Sequence, residues 1–419
     1  MINMTLAKNR ILLITGLLFY LILRVLASIN GGDFDVYLEA AIKLKDYQNI
    51  YAPPFDKNMP YLYSPLFALL LIPFSFNFFL TEFIWLLLSG FLLYRSWHLI
   101  NNYLELRDLS KKELHLLIGI SFFFILRFWL YNISRIQITI FLLWAILESI
   151  HLIKANKWPL GSVLLSFACN IKIIPIVILP YLIYRQKFKA ALFVVLLTGL
   201  FLYLPSAFIG YEFNNFLLTE WWRVINPLNS EHLIELSSDS QSIMAIIPVY
   251  FTNATSEILV NCNILNLSTQ KVYLIANLIR VFLIIFTLYF LRTPSGGHVK
   301  NLTEIRAISY ILLLIPLIFP HQQKYAFILI FPMIVYLTYY YLISWKYRND
   351  ILYYVQLSVL LFISVVFTPF IGSDILGKYL YELIQYLRLL GINTLLIIIY
   401  AVIADPRKIE AYIYQPTTK

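Results

Sequence analysis

The chain has 419 residues, 60% of them hydrophobic and 13% charged, with a mean hydropathy of +0.76. A soluble domain is about one-quarter charged, so composition excludes a water-soluble globular protein, and the formal net charge of +10 reads as a topology signal rather than a nucleic-acid footprint. Cys169 and Cys262 provide neither a disulfide framework nor a metal-ligand spacing.

Apolar runs such as Ile11 to Ile29, Lys271 to Leu291, Tyr325 to Ile343 and Ile351 to Ile371 approach the roughly 20 residues that cross a hydrocarbon core. They lack the alternation of barrel strands, so the spans are helices. The first run carries Arg24, has no small-residue cleavage site after it, and reads as a retained signal anchor. Lys8 and Arg10 before it place the N-terminus inside and the loop over 30–65 outside.

That loop, GGDFDVYLEAAIKLKDYQNIYAPPFDKNMPYLYSP, is polar, aromatic and patterned. Asp33 and Asp35 open a helix that runs to about Lys45, with Val36, Ala40 and Leu44 on one face, predicting an amphipathic element along the membrane surface. Tyr63 to Ser75 reads as a half-helix bent near Pro73, and Asn77 to Trp97 as the second span. Two spans here would put Arg95, Arg107, Lys111 and Lys112 outside, against the positive-inside rule.

Leu114 to Tyr131 then rises, a turn follows at Asn132 to Arg135, and Gln137 to Ile153 descends. Trp158 to Ile171 and Ile173 to Tyr184 form a short pair meeting at Lys172 and Pro175. Phe188 to Ile209 precedes a long outer loop, Gly210 to about Gln270, with a buried or re-entrant piece at Ile243 to Phe251. Lys271 to Leu291, Ile305 to Pro320, Tyr325 to Ser344, Ile351 to Ile371 and Tyr386 to Ile403 complete about twelve spans with both termini cytoplasmic. On this alternation the inner segments are net basic and the outer ones net acidic, as insertion requires. The expected fold is an all-α polytopic membrane protein, a single integral membrane domain over 1–419 whose outer first loop carries juxtamembrane helices.

Chemistry-bearing residues gather on the outer side. Either Asp33 or Asp35 can serve as a general base, partial desolvation at the water-lipid boundary lifting its pKa; the competing role is capping the helix that follows. The Tyr- and Pro-rich stretch through Tyr51, Pro53, Tyr61, Tyr63 and Pro65 favours a cavity wall, with interfacial belt residues as the alternative. Arg135, Lys172, Arg223, His321 and Lys324 fall at outer apices, with Arg24 and Arg127 inside spans; together they suit an anionic phosphate, while each alone can snorkel to head groups. Gln137 and Gln322 can bond a sugar. Walker loops, zinc spacings and a metal-holding acidic pair of the nucleotide-sugar type are absent from the sequence.

The run GGDFDVYLEAAIKL…IYAPP…YLYSPLFALLLIPF resembles the first luminal loop and following helix of glycosyltransferase family 87, in the GT-C superfamily. The resemblance continues through SRIQITIFLLWAI, KWPLGSVLLSFACNIKIIPIVILPYLIYRQKFKA and FPHQQKYAFILIFP. It is fuller over 1–209, the expected catalytic half, than over 210–419. It implies a GT-C-like bundle and an inverting hexosyltransferase, typically a mannosyltransferase, that draws on polyprenyl-phosphate sugars and needs no metal or other cofactor. Carried over by position, it implies Asp33 as base with Asp35 next, and matches Lys172 to the Lys of the family's paired short helices and His321 to its luminal His; the residues' own placement adds Lys324, Arg135 and Arg24 toward the donor phosphate, and Gln137, Tyr37, Tyr63 and Gln322 toward sugar or acceptor. Ser134-Arg135-Ile136 departs from the family's Gly before Gln137, and Tyr63-Ser64-Pro65 from its Tyr-Pro-Pro. The implied partners are membrane lipid, the lipid-linked donor and a glycan or glycolipid acceptor, with no nucleic acid, in a bacterial cytoplasmic membrane with the site facing outward. A flippase or transporter is the rival reading, but polar groups at one face fit it poorly. A polymerase or ligase is the other, but the loop over 210–270 has only Arg223 where paired arginines are expected.

Overall fold

The computed structural model describes residues 33–53, 59–104, 106–226, 237–253, 262–292 and 299–409, so Arg24 and the first expected span lie outside the described residues. Every regular element among them is helical: α1 Asp33–Lys45, α2 Pro65–Leu71, α3 Phe78–Asn101, α4 Lys111–Arg135, α5 Thr139–Lys154, α6 Trp158–Ile171, α7 Ile178–Tyr184, α8 Phe188–Tyr203, α9 Ser206–Ile209, α10 Tyr211–Ile225, α11 Ile243–Phe251, α12 Thr269–Leu291, α13 Val299–Ile318, α14 Phe331–Tyr347, α15 Ile351–Ser364, α16 Ser373–Leu376, α17 Lys378–Tyr386 and α18 Leu389–Ile403. Each expected span that falls among the described residues coincides with a helix. Six stretches are long and apolar enough to cross a bilayer: 78–101, 111–135, 188–209, 269–291, 299–318 and 324–347. A seventh forms if α17 and α18, bent by 53°, count as one. At 14 residues α6 is about 21 Å long, short of a core of about 30 Å.

The chain divides into two compact units. The first comprises 1–95, 131–176 and 187–226; the second comprises 96–130, 177–186 and 227–419. In the first, α6 and α8 are joined by polar rungs at four-residue intervals. Ser162 Oγ donates to the Ala190 carbonyl at 3.2 Å, Ser166 Oγ to Val194 at 3.0 Å, and Asn170 Nδ2 to Thr198 at 3.2 Å. Small polar residues serve this purpose where lipid supplies no hydrophobic drive between helices. Gly161 lets α6 approach α5, since a Cβ there would meet Ser149 O at 2.7 Å. Arg95 grips Glu148 through two bonds of 2.8 and 2.9 Å.

The sequence pattern predicts that α1 lies on the membrane surface, and its boundaries agree with the expected ones. Its surroundings do not. Phe34, Val36, Tyr37, Leu38, Ala40, Ala41 and Leu44 are all buried in protein, because the aromatic loop and α2 pack onto it: Tyr37 meets Tyr63 and Phe67 edge-on at ring distances of 4.7 and 5.5 Å.

The second unit has α13 as its most buried helix. Its buried Arg306 donates to the carbonyls of Ala401 (2.7 Å) and Val402 (3.1 Å), groups that the end of α18 leaves without a helical partner. Arg127 donates to the Val366 carbonyl at 2.7 Å. Both cations close helix ends.

Candidate active site

Asp33 is the first residue of α1, and its Oδ2 accepts a hydrogen bond from Gln137 Nε2 across 104 positions of sequence. Gln137 reaches it because of how α4 stops. The N–H of Gln137 returns to the Asn132 carbonyl at 2.9 Å and that of Ile136 to Ile133 at 3.3 Å, a Schellman ending. Ile136 occupies its left-handed position at φ 52°. Glycine normally sits there, so this isoleucine adopts a backbone that a glycine would take freely. Trp85 Nε1 steadies the turn by donating to the Gln137 carbonyl at 3.4 Å.

Lys172 is set by a second helix break. It follows α6 with extended backbone, φ −143° and ψ 130°, and Pro175 then allows only a short 3₁₀ turn, Ile174–Val177. Its Nζ lies 5.7 Å from the centre of the Tyr63 ring, within cation–π reach. Arg135, on the last turn of α4, stands 5.8 Å over the Tyr131 ring.

The charges of this cluster act on one another. Burial pushes the Asp33 carboxyl above the usual range, opposed by the Arg135 guanidinium, the Gln137 hydrogen bond and the Lys172 ammonium. Burial pushes Lys172 down to about 8, with Asp33 pulling it back up. Asp35 shares the first turn of α1 and is half-buried.

The tyrosines form a wall. Tyr37 and Tyr63 share a hydroxyl–hydroxyl bond of 2.6 Å, Tyr51 donates to the Tyr63 carbonyl at 2.7 Å, and Tyr61 to the Ser64 carbonyl at 3.1 Å. Tyr37 and Tyr63 are 1% and 7% exposed, so their rings pack while Tyr63 backs the Lys172 ammonium. Gln137, expected to face a sugar, instead holds Asp33, and its Oε1 has no protein partner among the described residues.

The first unit thus assembles Asp33, Arg135, Gln137, Lys172, Tyr37 and Tyr63. Asp35 and Arg223 also lie in the first unit, whereas His321, Gln322 and Lys324 belong to the second. There Lys324, 5% exposed, is ion-paired with Asp239 at 3.0 Å and donates from its ammonium to the Tyr381 hydroxyl at 2.5 Å, over whose ring it also lies at 4.9 Å. Gln322 donates to the Pro320 carbonyl at 3.1 Å and accepts on its own carbonyl from Gln241 N at 3.0 Å. His321 turns the chain at φ 56°. Arg223 forms an exposed pair with Glu220 at 3.2 Å. Sequence reasoning missed Asp239 and Tyr381 as partners of Lys324, which the chain keeps 85 and 57 positions away.

A model of glycosyltransferase family 87 matches residues 61–320. No curated protein and no solved structure matches the chain. The matched segment contains Tyr63, Arg135, Gln137 and Lys172; Asp33, Asp35 and Tyr37 precede it, and His321, Gln322 and Lys324 follow it.

Proposed function

This membrane protein belongs to glycosyltransferase family 87, and we propose that it transfers a hexose, mannose foremost, from a polyprenyl-phosphate sugar to a glycan or glycolipid acceptor at the outer face of a bacterial cytoplasmic membrane. The reading is an inverting displacement with no metal or other cofactor. Asp33 takes the proton of an acceptor hydroxyl as that oxygen attacks the sugar C1 from the face opposite the phosphate. The C1–O bond to phosphate breaks, and the electron pair leaves with the polyprenyl phosphate. Lys172 and Arg135 stabilise the charge that develops there.

One observation supports this most: a carboxylate fixed through one oxygen by Gln137, with its second oxygen left for a proton, lies in the field of two cations. Burial suits the base role, because a raised pKa brings proton affinity nearer the operating pH while Arg135 and Lys172 keep the group ionisable. Gln137 becomes a positioning residue in this scheme.

The test is incubation of purified protein with polyprenyl-phosphate hexoses and candidate acceptors, reading product by mass. Asp33→Asn is expected to reduce turnover by roughly 10²- to 10⁴-fold with donor still retained by the protein, and Asp35→Asn to remain active. Undiminished turnover in Asp33→Asn would remove Asp33 from the chemistry.

A further inference from the structure

The second unit contains an apolar groove of about 470 Å³ that the transfer chemistry does not use. Its walls are helix faces: Glu113, Leu116, Ile120 and Phe124 recur at helical spacing on α4, and Met333, Leu337, Tyr341 and Trp345 recur on α14, with α15 closing the third side. From Glu113 to Phe124 the helical rise gives a length of about 16 Å. One leaflet of a bilayer core is about 15 Å deep. The groove therefore has the length of one leaflet.

Its two ends differ. The Phe124 end carries no charged side chain among its lining residues, Ser364 and Thr394 being the polar ones, whereas the other bears Trp345, 57% exposed, and Lys346, bonded to Glu113 at 3.0 Å and to the Asp108 carbonyl at 2.7 Å. Arg348, paired with Asp350 through bonds of 2.8 and 2.9 Å, lies over the ring of Tyr353, which also lines the groove, at 5.2 Å. Aromatic and basic side chains together mark head-group depth. Lys111 and Lys112 extend this rim. They have no ion pair among the described residues, and Lys112 shares the groove face of α4 because it lies four residues before Leu116. One turn inside the rim, the Tyr341 hydroxyl is buried without a hydrogen-bond partner among the described residues. That is the depth of the ester carbonyls of a glycerolipid, which accept hydrogen bonds.

We propose that this groove seats one acyl chain of an anionic glycerophospholipid, its head group on the Lys111, Lys112 and Lys346 rim and an ester carbonyl on Tyr341. Positive-inside topology assigns this rim to the cytoplasmic leaflet. A polyprenyl chain fits this groove less well, being longer than one leaflet and carrying its phosphate, in the proposed reaction, at the other face. The lipid's role is that of a tightly held structural partner.

The experiment uses the full chain, extracted in a neutral detergent, stripped of lipid, and returned to phosphatidylglycerol or phosphatidylcholine of equal chain length. Native mass spectrometry should show one phosphatidylglycerol retained per chain at about tenfold lower lipid concentration than phosphatidylcholine, with the melting midpoint raised by several degrees. Lys111→Gln with Lys112→Gln should abolish the preference while leaving chain uptake. Leu116→Trp, at a half-exposed lining position, should block uptake of both lipids. Equal retention of the two lipids by the unaltered protein would leave only a nonspecific annulus. Displacement of bound lipid by polyprenyl phosphate, with a raised donor KM in Leu116→Trp, would give the groove to the donor tail. These binding readouts need no sugar transfer, so they stand or fall separately from the proposed reaction.

Discussion

Asp33 and Lys172 are shifted in opposite directions by the same cause, burial. Asp33 is raised, so its base form disappears as pH falls through a value above the ordinary carboxylate range. Lys172 is lowered to about 8, so its charge disappears as pH rises through that value. The pH profile of kcat/KM should therefore be a bell whose alkaline limb lies near 8. Lys172→Arg should carry that limb to higher pH, because a guanidinium does not titrate there. An unmoved limb would assign it to another group. Gln137→Leu removes a bond to the ionised carboxylate, so the acid limb should move up, with part of the lost rate regained at higher pH. The same shifts bear on stability. A raised carboxyl stabilises the fold at low pH and ceases to do so as pH rises through its folded value; a depressed ammonium stabilises it at high pH and ceases to do so as pH falls through about 8. Near neutrality both charges oppose folding, so Asp33→Asn should melt no lower than the native protein, as differential scanning fluorimetry would show. Asp33 and Lys172 stand out in the sequence as candidates because carboxylates and amines are rare in an apolar chain. Their partners were not: the Asp33–Gln137 bond and the Tyr37–Tyr63 hydroxyl pair join positions 104 and 26 apart, and no local pattern records such a pairing.

At the scale of elements, apolar periodicity and Pro placement located the expected spans, the short pair interrupted at Lys172 and Pro175 and the half-helix before α3, but not α10, which lies where an outer loop is expected, nor α16 and α17. Two further features escaped. Hydropathy does not distinguish lipid from protein as the medium covering an apolar face, so α1 reads as a surface helix although the Tyr-rich loop and α2 enclose it. An isoleucine in the left-handed region is likewise invisible, since a β-branched residue is expected to avoid it at about 1–2 kcal/mol. Ile136→Gly should test this. The turn geometry is retained, so transfer should survive, while loss of a fully buried side chain lowers the melting midpoint. Gly161→Val should be far more disruptive. Its added carbons meet the Ser149 carbonyl, a backbone atom that cannot yield unless α5 and α6 part. Size-exclusion profiles and melting midpoints would report that separation, and a normal midpoint would mean that α6 shifts without penalty.

For the whole molecule, the family match over 61–320 starts after Asp33 and ends before His321, so the matched core holds Gln137 and Lys172 while the proposed base is supplied from ahead of it. The two compact units interleave along the chain, each built from separate segments. Topology is open to direct measurement. With Cys169 and Cys262 replaced, a membrane-impermeant maleimide should label Lys271→Cys on intact cells and Lys187→Cys only after permeabilisation; both positions are exposed. The reverse result would put the Asp33 cluster on the cytoplasmic side. The rungs between α6 and α8 have a mechanical corollary. Because Ser162, Ser166 and Asn170 repeat at the same four-residue interval as Ala190, Val194 and Thr198, sliding one helix by a single residue unseats all three contacts together. The next matching notch lies about 6 Å away. Lys172, two residues past the last rung, is consequently indexed like a key in a lock with discrete detents. Thermal agitation can rattle it within its seat but cannot let it drift.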